Sequence, residues 1–243
     1  MKRFGKNKNE IIRYALFLVP VLLLVAWGLF NGKINSSTNP QGLNIYPPSA
    51  GLGNKIYIQP VGYVDHSILN AIRGIVAEDF KHPVEILNTM EIPHFPEGRA
   101  GQVKADYIRN YIADRKGVPK DTYRILAITD EDLYTDGYNF IFGQAAIGGI
   151  ISIISIQRLI PQQDGGELID GSAIVTNEIF QSRIRKLTRH ELAHTFSLTH
   201  CSDTQCVMAF HDSLQTLDSG GSSFCEKCLS ILQERKIGIH TQG

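Results

Sequence analysis

The stretch "HELAHTFSLTHCSDTQC", residues 190–206, places three histidines, one glutamate and two cysteines in seventeen positions. His190 and His194 are four residues apart. On a helix that spacing sets both imidazoles on one face, one turn apart, where they reach one ion. Glu191 is not needed as a ligand and is free to act as a general base. The third ligand must lie beyond the helix, where the chain turns back, and His200 is placed for it. Three protein ligands with one position left open is the form of a catalytic zinc site, and the chemistry it implies is hydrolysis. A bare HExxH matches by chance in some sequences. Here it falls within "NEIFQSRIRKLTRHELAHTFSL" (177–198), where Phe180, Ile184, Leu187 and His194 share one face of a helix.

All four cysteines follow the histidines: Cys201, Cys206, Cys225 and Cys228. Their pattern is C-x4-C, then C-x2-C. Short-spaced pairs separated by a longer loop suit a closed zinc site with four thiolate ligands, which would staple a tail with little core of its own. Two disulfides are the alternative, plausible in an exported domain. A Cys225–Cys228 bridge would close a very small loop, and both spacings suit metal, so zinc is favoured.

Upstream, strands and helices alternate. "KIYIQPVGYV" (55–64), "HPVEILN" (82–88) and "TYRILAIT" (122–129) read as strands, and "FIFGQAAIGGIISIISIQRL" (140–159) reads as two strands joined at Gly148-Gly149. "SILNAIRGIVAEDF" (67–80), "GRAGQVKADYIRNYIADR" (98–115) and "EKCLSILQERK" (226–236) read as helices. The pattern implies a layered α/β or α+β domain.

The amino terminus differs. Residues 1–13 carry Lys2, Arg3, Lys6, Lys8 and Arg13 against Glu10, and residues 14–30, "YALFLVPVLLLVAWGLF", carry no charge. Seventeen residues at a rise of about 1.5 Å come close to the ~30 Å hydrocarbon core of a bilayer. The flanking charge predicts a single-pass anchor with the amino end in the cytoplasm and the domain outside. A cleaved signal peptide is the alternative. Residues 31–53 are rich in Asn, Ser, Pro and Gly and read as a linker, so the folded domain is expected over 54–243. Lysine plus arginine equals aspartate plus glutamate at 24 each, and no basic tract suggests nucleic acid.

The whole pattern resembles the archaemetzincins (archaelysins), within the metzincin clan of zinc peptidases. Their motif runs HExxHxxGxxHC, x4-C-x-M, a spacer of about seventeen, then CxxC. Nine of its ten fixed positions are met, with Ser197 in place of the glycine and sixteen residues between Met208 and Cys225. "IYIQPVG" is similar to the family's first strand, while "DLYTDGYNFIFGQA" and "SIISIQRL" are similar to its central and edge strands. The resemblance spans about residues 54–236. It implies a compact α+β domain with a twisted mixed sheet and a peptide substrate held along the edge strand. By position it implies two zinc ions: a catalytic one on His190, His194 and His200 with Glu191 as base, and a structural one on Cys201, Cys206, Cys225 and Cys228. Met208 would form an apolar floor, the Met-turn. The membrane segment is an addition to that pattern. A peptide-binding module that keeps both zinc ions without catalysis is the alternative, and the intact Glu191 argues against it.

Other polar residues read more blandly. His66, His82, His94 and His240 lie in no metal spacing. Asp130, Glu131 and Asp132 read as a solvated turn. His211, three residues after Met208, is near the site by position alone.

Overall fold

The computed structural model describes residues 53–92, 98–114, 118–161, 171–235 and 237. In chain order the elements are β1 (Lys55–Val61), α1 (His66–Asp79), β2 (Val84–Ile86), β3 (Val103–Lys104), α2 (Ala105–Asp114), β4 (Thr122–Thr129), β5 (Leu133–Tyr134), β6 (Gly143–Ala145), β7 (Ile151–Ser155), α3 (Gly171–Ile174), α4 (Glu178–Thr195), α5 (Leu214–Ser219) and α6 (Glu226–Glu234). Among these described residues no helix is long and apolar enough to cross a membrane. The expected anchor, residues 14–30, lies outside them, as do His94 and His240 and nearly all of the expected linker.

The main sheet is mixed, in the order β2-β1-β4-β7-β6. The first four strands are parallel, and β6 runs antiparallel to β7. Side chains alternate across it with period two, which builds two cores from one sheet. Ile56, Ile58, Leu126, Ile128 and Ile154 face α1, α4 and the carboxy-terminal tail. Tyr57, Val61, Ile125, Ala127, Ile151 and Ile153 face α2. The result is three layers, helix on sheet on helix.

The edge of the sheet differs from expectation. "SIISIQRL" was the expected edge strand, yet β7 lies between β4 and β6. Every residue of β7 is buried, whereas Gly143, Gln144 and Ala145 of β6 are half-buried. A strand apolar on both faces belongs inside a layered sheet, so the edge falls to the short β6.

Helix α4 carries the histidines. Its first turn is capped by Asn177, whose side chain accepts from Phe180 N at 3.1 Å. Phe180, Ile184 and Leu187 bury its apolar face. Its basic residues bind the tail. Arg183 pairs with both carboxylate oxygens of Asp218, Arg189 with those of Asp79, and the Lys186 ammonium donates to the carbonyls of Leu217, Asp218 and Gly220.

The helix ends where the motif requires a turn. Ser197 has φ 66°, the one positive φ outside glycine among the described residues. Ser197 N donates to His194 O at 2.9 Å and Leu198 N to Ala193 O at 3.2 Å. This pair of bonds is a Schellman C-cap, which favours glycine at that position. Serine adopts the conformation at a cost of about 1–2 kcal/mol, and the turn still forms.

Candidate functional site

Helix α4 presents His190 and His194 side by side. Their Nε2 atoms stand 3.0 Å apart. His190 Nδ1 lies 2.8 Å from Val207 O, and His194 Nδ1 lies 2.7 Å from Leu198 O. A carbonyl only accepts, so each Nδ1 carries the proton and each Nε2 offers a lone pair. Burial holds both imidazoles neutral: His190 falls well below its ordinary pKa and His194 falls to about 4. Two lone pairs facing each other at this distance need a cation between them. Two nitrogens bound to one zinc at ~2.0–2.1 Å would stand roughly 3.3 Å apart, close to what is seen. The chain turns at Ser197 and brings in exposed His200, so the ligand nitrogens of His190, His194 and His200 lie within 4.8 Å of one another.

Glu191 is 5% exposed, and its Oε2 has no hydrogen-bond partner. A buried carboxylate oxygen without a partner is costly. Burial pushes the carboxyl up to about 8, opposed only by the charge of Arg109. The carboxyl faces the edge strand. A Cβ on Gly143 would come 2.7 Å from Glu191 Oε1 and 2.8 Å from Ile153 O. Gly143 therefore gives the carboxylate its space. Gly143→Ala is expected to lower kcat/KM at least tenfold, because a displacement near 1 Å at a reacting group costs on the order of 10²-fold. Steady-state kinetics with zinc content checked would show it, and unchanged turnover would remove the constraint.

The buried carboxyl also sets a pH dependence in the metal-free chain. The folded state keeps a proton that the unfolded chain releases near pH 4.5. The folded pKa is raised, so the folded state loses stability as pH rises from about 4.5 to 8. Metal-free wild type should fall behind metal-free Glu191→Gln over that window, by a few kcal/mol in order of magnitude. The histidines are common to both proteins and cancel. Urea unfolding at pH 5 and pH 8 measures the gap, and a constant gap would exclude the ionisation.

Met208 is fully buried. The turn that carries it is tied on both sides: Cys201 N donates to Met208 O at 2.8 Å, and Val207 N to Ser223 O at 2.8 Å. The Val207 carbonyl is the one that orients His190. Nothing in the one-dimensional pattern pointed to Val207 or Leu198, because they act through backbone oxygens.

The four cysteines converge beside this turn. None forms a disulfide. Their sulfurs lie within 4.8 Å of one another, with Cys201 and Cys225 at 3.8 Å. A bonded pair would be ~2.0 Å apart. Two thiolates on a tetrahedral zinc at about 2.3 Å stand roughly 3.8 Å apart. Cys206 Sγ accepts from Met208 N at 3.5 Å and from Cys225 N at 3.4 Å, bonds that favour thiolate. The donor set fits a closed zinc site.

A cleft of about 470 Å³ runs between β6 and α4, with His190, Glu191, His194, His200 and His211 in its lining. Leu187, Phe140, Phe142, Val207 and Leu217 make much of it apolar. Sequence reading set His211 near the site, and the structure puts it in the cleft wall against Gly220, where a Cβ would meet its Cε1 at 2.5 Å. It did not single out Gly143, Tyr138 or Phe210, which reach the cleft through tertiary packing.

A histidine trio with a buried glutamate, at the foot of an edge strand, defines a zinc-dependent hydrolase site of the metallopeptidase type. Residues 102–234 match the model of Peptidase family M54. The chain is 33% identical over 186 residues to an archaemetzincin of Methanocaldococcus jannaschii, covering 76% of this chain and 96% of that one. It is 35% identical over 180 residues to an archaemetzincin of Archaeoglobus fulgidus, covering 74% and 99%. It superposes on the crystal structure of archaemetzincin from Methanopyrus kandleri with a TM-score of 0.60 and 29% identity, covering 76% and 96%. The chain belongs to the archaemetzincin family, peptidase family M54, and is a zinc metallopeptidase.

Proposed function

We propose that this chain hydrolyses peptide bonds with one zinc held by His190, His194 and His200, Glu191 as general base, and a second, structural zinc held by Cys201, Cys206, Cys225 and Cys228. One observation carries the reading. Two imidazole lone pairs and the unpartnered Glu191 Oε2 meet in the same cleft. When bound at the histidines, zinc supplies Lewis acidity, polarising a carbonyl and acidifying water. Glu191 then takes a proton at its free oxygen and returns it to the leaving amine. Met208 forms the apolar floor. The open side of β6 offers backbone groups to an extended peptide, which would add as a further strand. Residues 14–30 would anchor the chain in a membrane with the peptidase domain outside the cytoplasm, on the charge and length argument above.

The test is metal analysis with thiol titration on the non-reduced chain. Two zinc ions are expected, with thiols that react only after chelation. One zinc and no recoverable thiols would assign the cysteines to disulfides and leave only the histidine site.

A further inference from the structure

Six large apolar side chains are well exposed among the described residues: Tyr63, Tyr111, Tyr138, Ile147, Ile179 and Phe210. Three of them, Tyr138, Ile147 and Phe210, line the cleft. Scattered exposed apolar groups are ordinary, but a cluster at a cleft marks a contact surface. Tyr138 is 46% exposed and Phe210 48%. They come from opposite walls, Tyr138 from the segment before β6 and Phe210 from just after the turn of Met208. Their ring centroids are 5.8 Å apart, tilted by 58°. Phe210 also stands edge-on to His200 at 5.1 Å. The pair is therefore next to the metal-binding histidines.

Both rings are mounted on a fixed backbone. On one wall, Arg99 donates to Tyr138 O at 2.8 Å and Gln102 to Asn139 O at 2.9 Å. Gln102 also donates to Asp132, which accepts two bonds from Arg158, and that guanidinium lies 4.0 Å over the Phe140 ring. On the other wall, Cys201 pairs with Ala209, the neighbour of Phe210. The rings are placed before any ligand arrives, which limits the ordering cost of binding.

The charged groups of the cleft are otherwise engaged. The Lys186 ammonium donates to three backbone carbonyls, Glu191 faces the histidine site, and Asp212 accepts from Thr216. A carboxylate or ammonium seated between the two rings would lose water without gaining a counter-ion, which is unfavourable. An aromatic or branched aliphatic group gains buried area on both ring faces.

Resting on the peptidase reading above, we infer that Tyr138 and Phe210 form an aromatic clamp that selects peptide substrates bearing a bulky apolar side chain beside the scissile bond. The contact of Phe210 with His200 places the gripped side chain within about one residue of the metal. The clamp holds substrate and transition state alike, so its loss falls on KM rather than kcat.

The test uses the full zinc-loaded chain and three peptides that differ at one position, carrying Phe, Gly or Glu there. Binding is read by fluorescence anisotropy on the Glu191→Gln background, and turnover on the background that keeps Glu191. The clamp variants are Tyr138→Ala and Phe210→Leu; leucine keeps an apolar contact on His200, and zinc content is measured for each protein. The Phe peptide should bind about tenfold more tightly than the Gly or Glu peptides, and Tyr138→Ala should reduce that preference to about twofold with zinc retained. Equal binding of the three peptides, or a preference that survives both variants, overturns the clamp. Tyr138-dependent binding without any cleavage would overturn the peptidase reading and leave the clamp standing.

Discussion

Glu191→Gln should lower turnover by about 10²- to 10⁴-fold, the range that a positioned general base contributes. Glutamine keeps the shape and the burial but cannot take a proton. The change touches neither the facing Nε2 atoms of His190 and His194 nor the carbonyls of Val207 and Leu198 that orient them. Zinc content and peptide binding should therefore survive. The loss should appear in kcat, since proton transfer matters only in the transition state. Single-turnover kinetics beside metal analysis decide it. A variant that loses zinc as well would make Glu191 a structural residue. A wild type that binds peptides and cleaves none would favour the binding-module alternative.

Cys228→Ser should have the largest effect on stability. The residue is buried within the four-sulfur cluster, and serine is a poor ligand for zinc in place of thiolate. Loss of a structural metal removes binding energy that is also folding energy. A cost of about 4 kcal/mol would lower Tm by roughly 8–16 °C in a domain of this size. Turnover should fall too, because the cluster and the site share one turn. Cys206 Sγ accepts from Met208 N, and the intervening Val207 carbonyl holds His190. Calorimetry with zinc analysis tests this: one zinc retained with a lowered Tm is expected. An unchanged Tm would mean that the tail is held without metal, by the ties from Arg183, Lys186 and Arg189 alone.

The ligand set was legible in the chain because helix geometry is local. A spacing of four residues puts two imidazoles on one face whatever surrounds them. The departure at Ser197 was legible for the same reason. A sharp turn after the helix needs a positive φ, and serine takes it, at 66°. The strands were readable from their period, since "KIYIQPV" and "TYRILAIT" carry apolar residues for both faces of the sheet.

The edge was not legible. β6 and β7 are joined by a short turn and are both apolar, so pattern alone gave no reason to place one inside and one outside. What decides it is the second face of β7: Ile151 and Ile153 pack toward α2 while Ile154 packs toward α4. A strand covered on both faces takes the interior, and β6 is left with one open side. Likewise, nothing local shows that Gly143 faces Glu191 across forty-eight positions, or that Tyr138 meets Phe210.

By itself, then, the sequence determined which groups can bind metal, on which helix, and where that helix must stop, because those are short-range consequences of backbone geometry and donor chemistry. The tertiary structure alone decided which strand meets the substrate cleft, which carbonyls orient the histidines, and which aromatic rings face each other over the site. Those contacts join residues far apart in the chain, and they exist only once the two faces of the sheet have been covered.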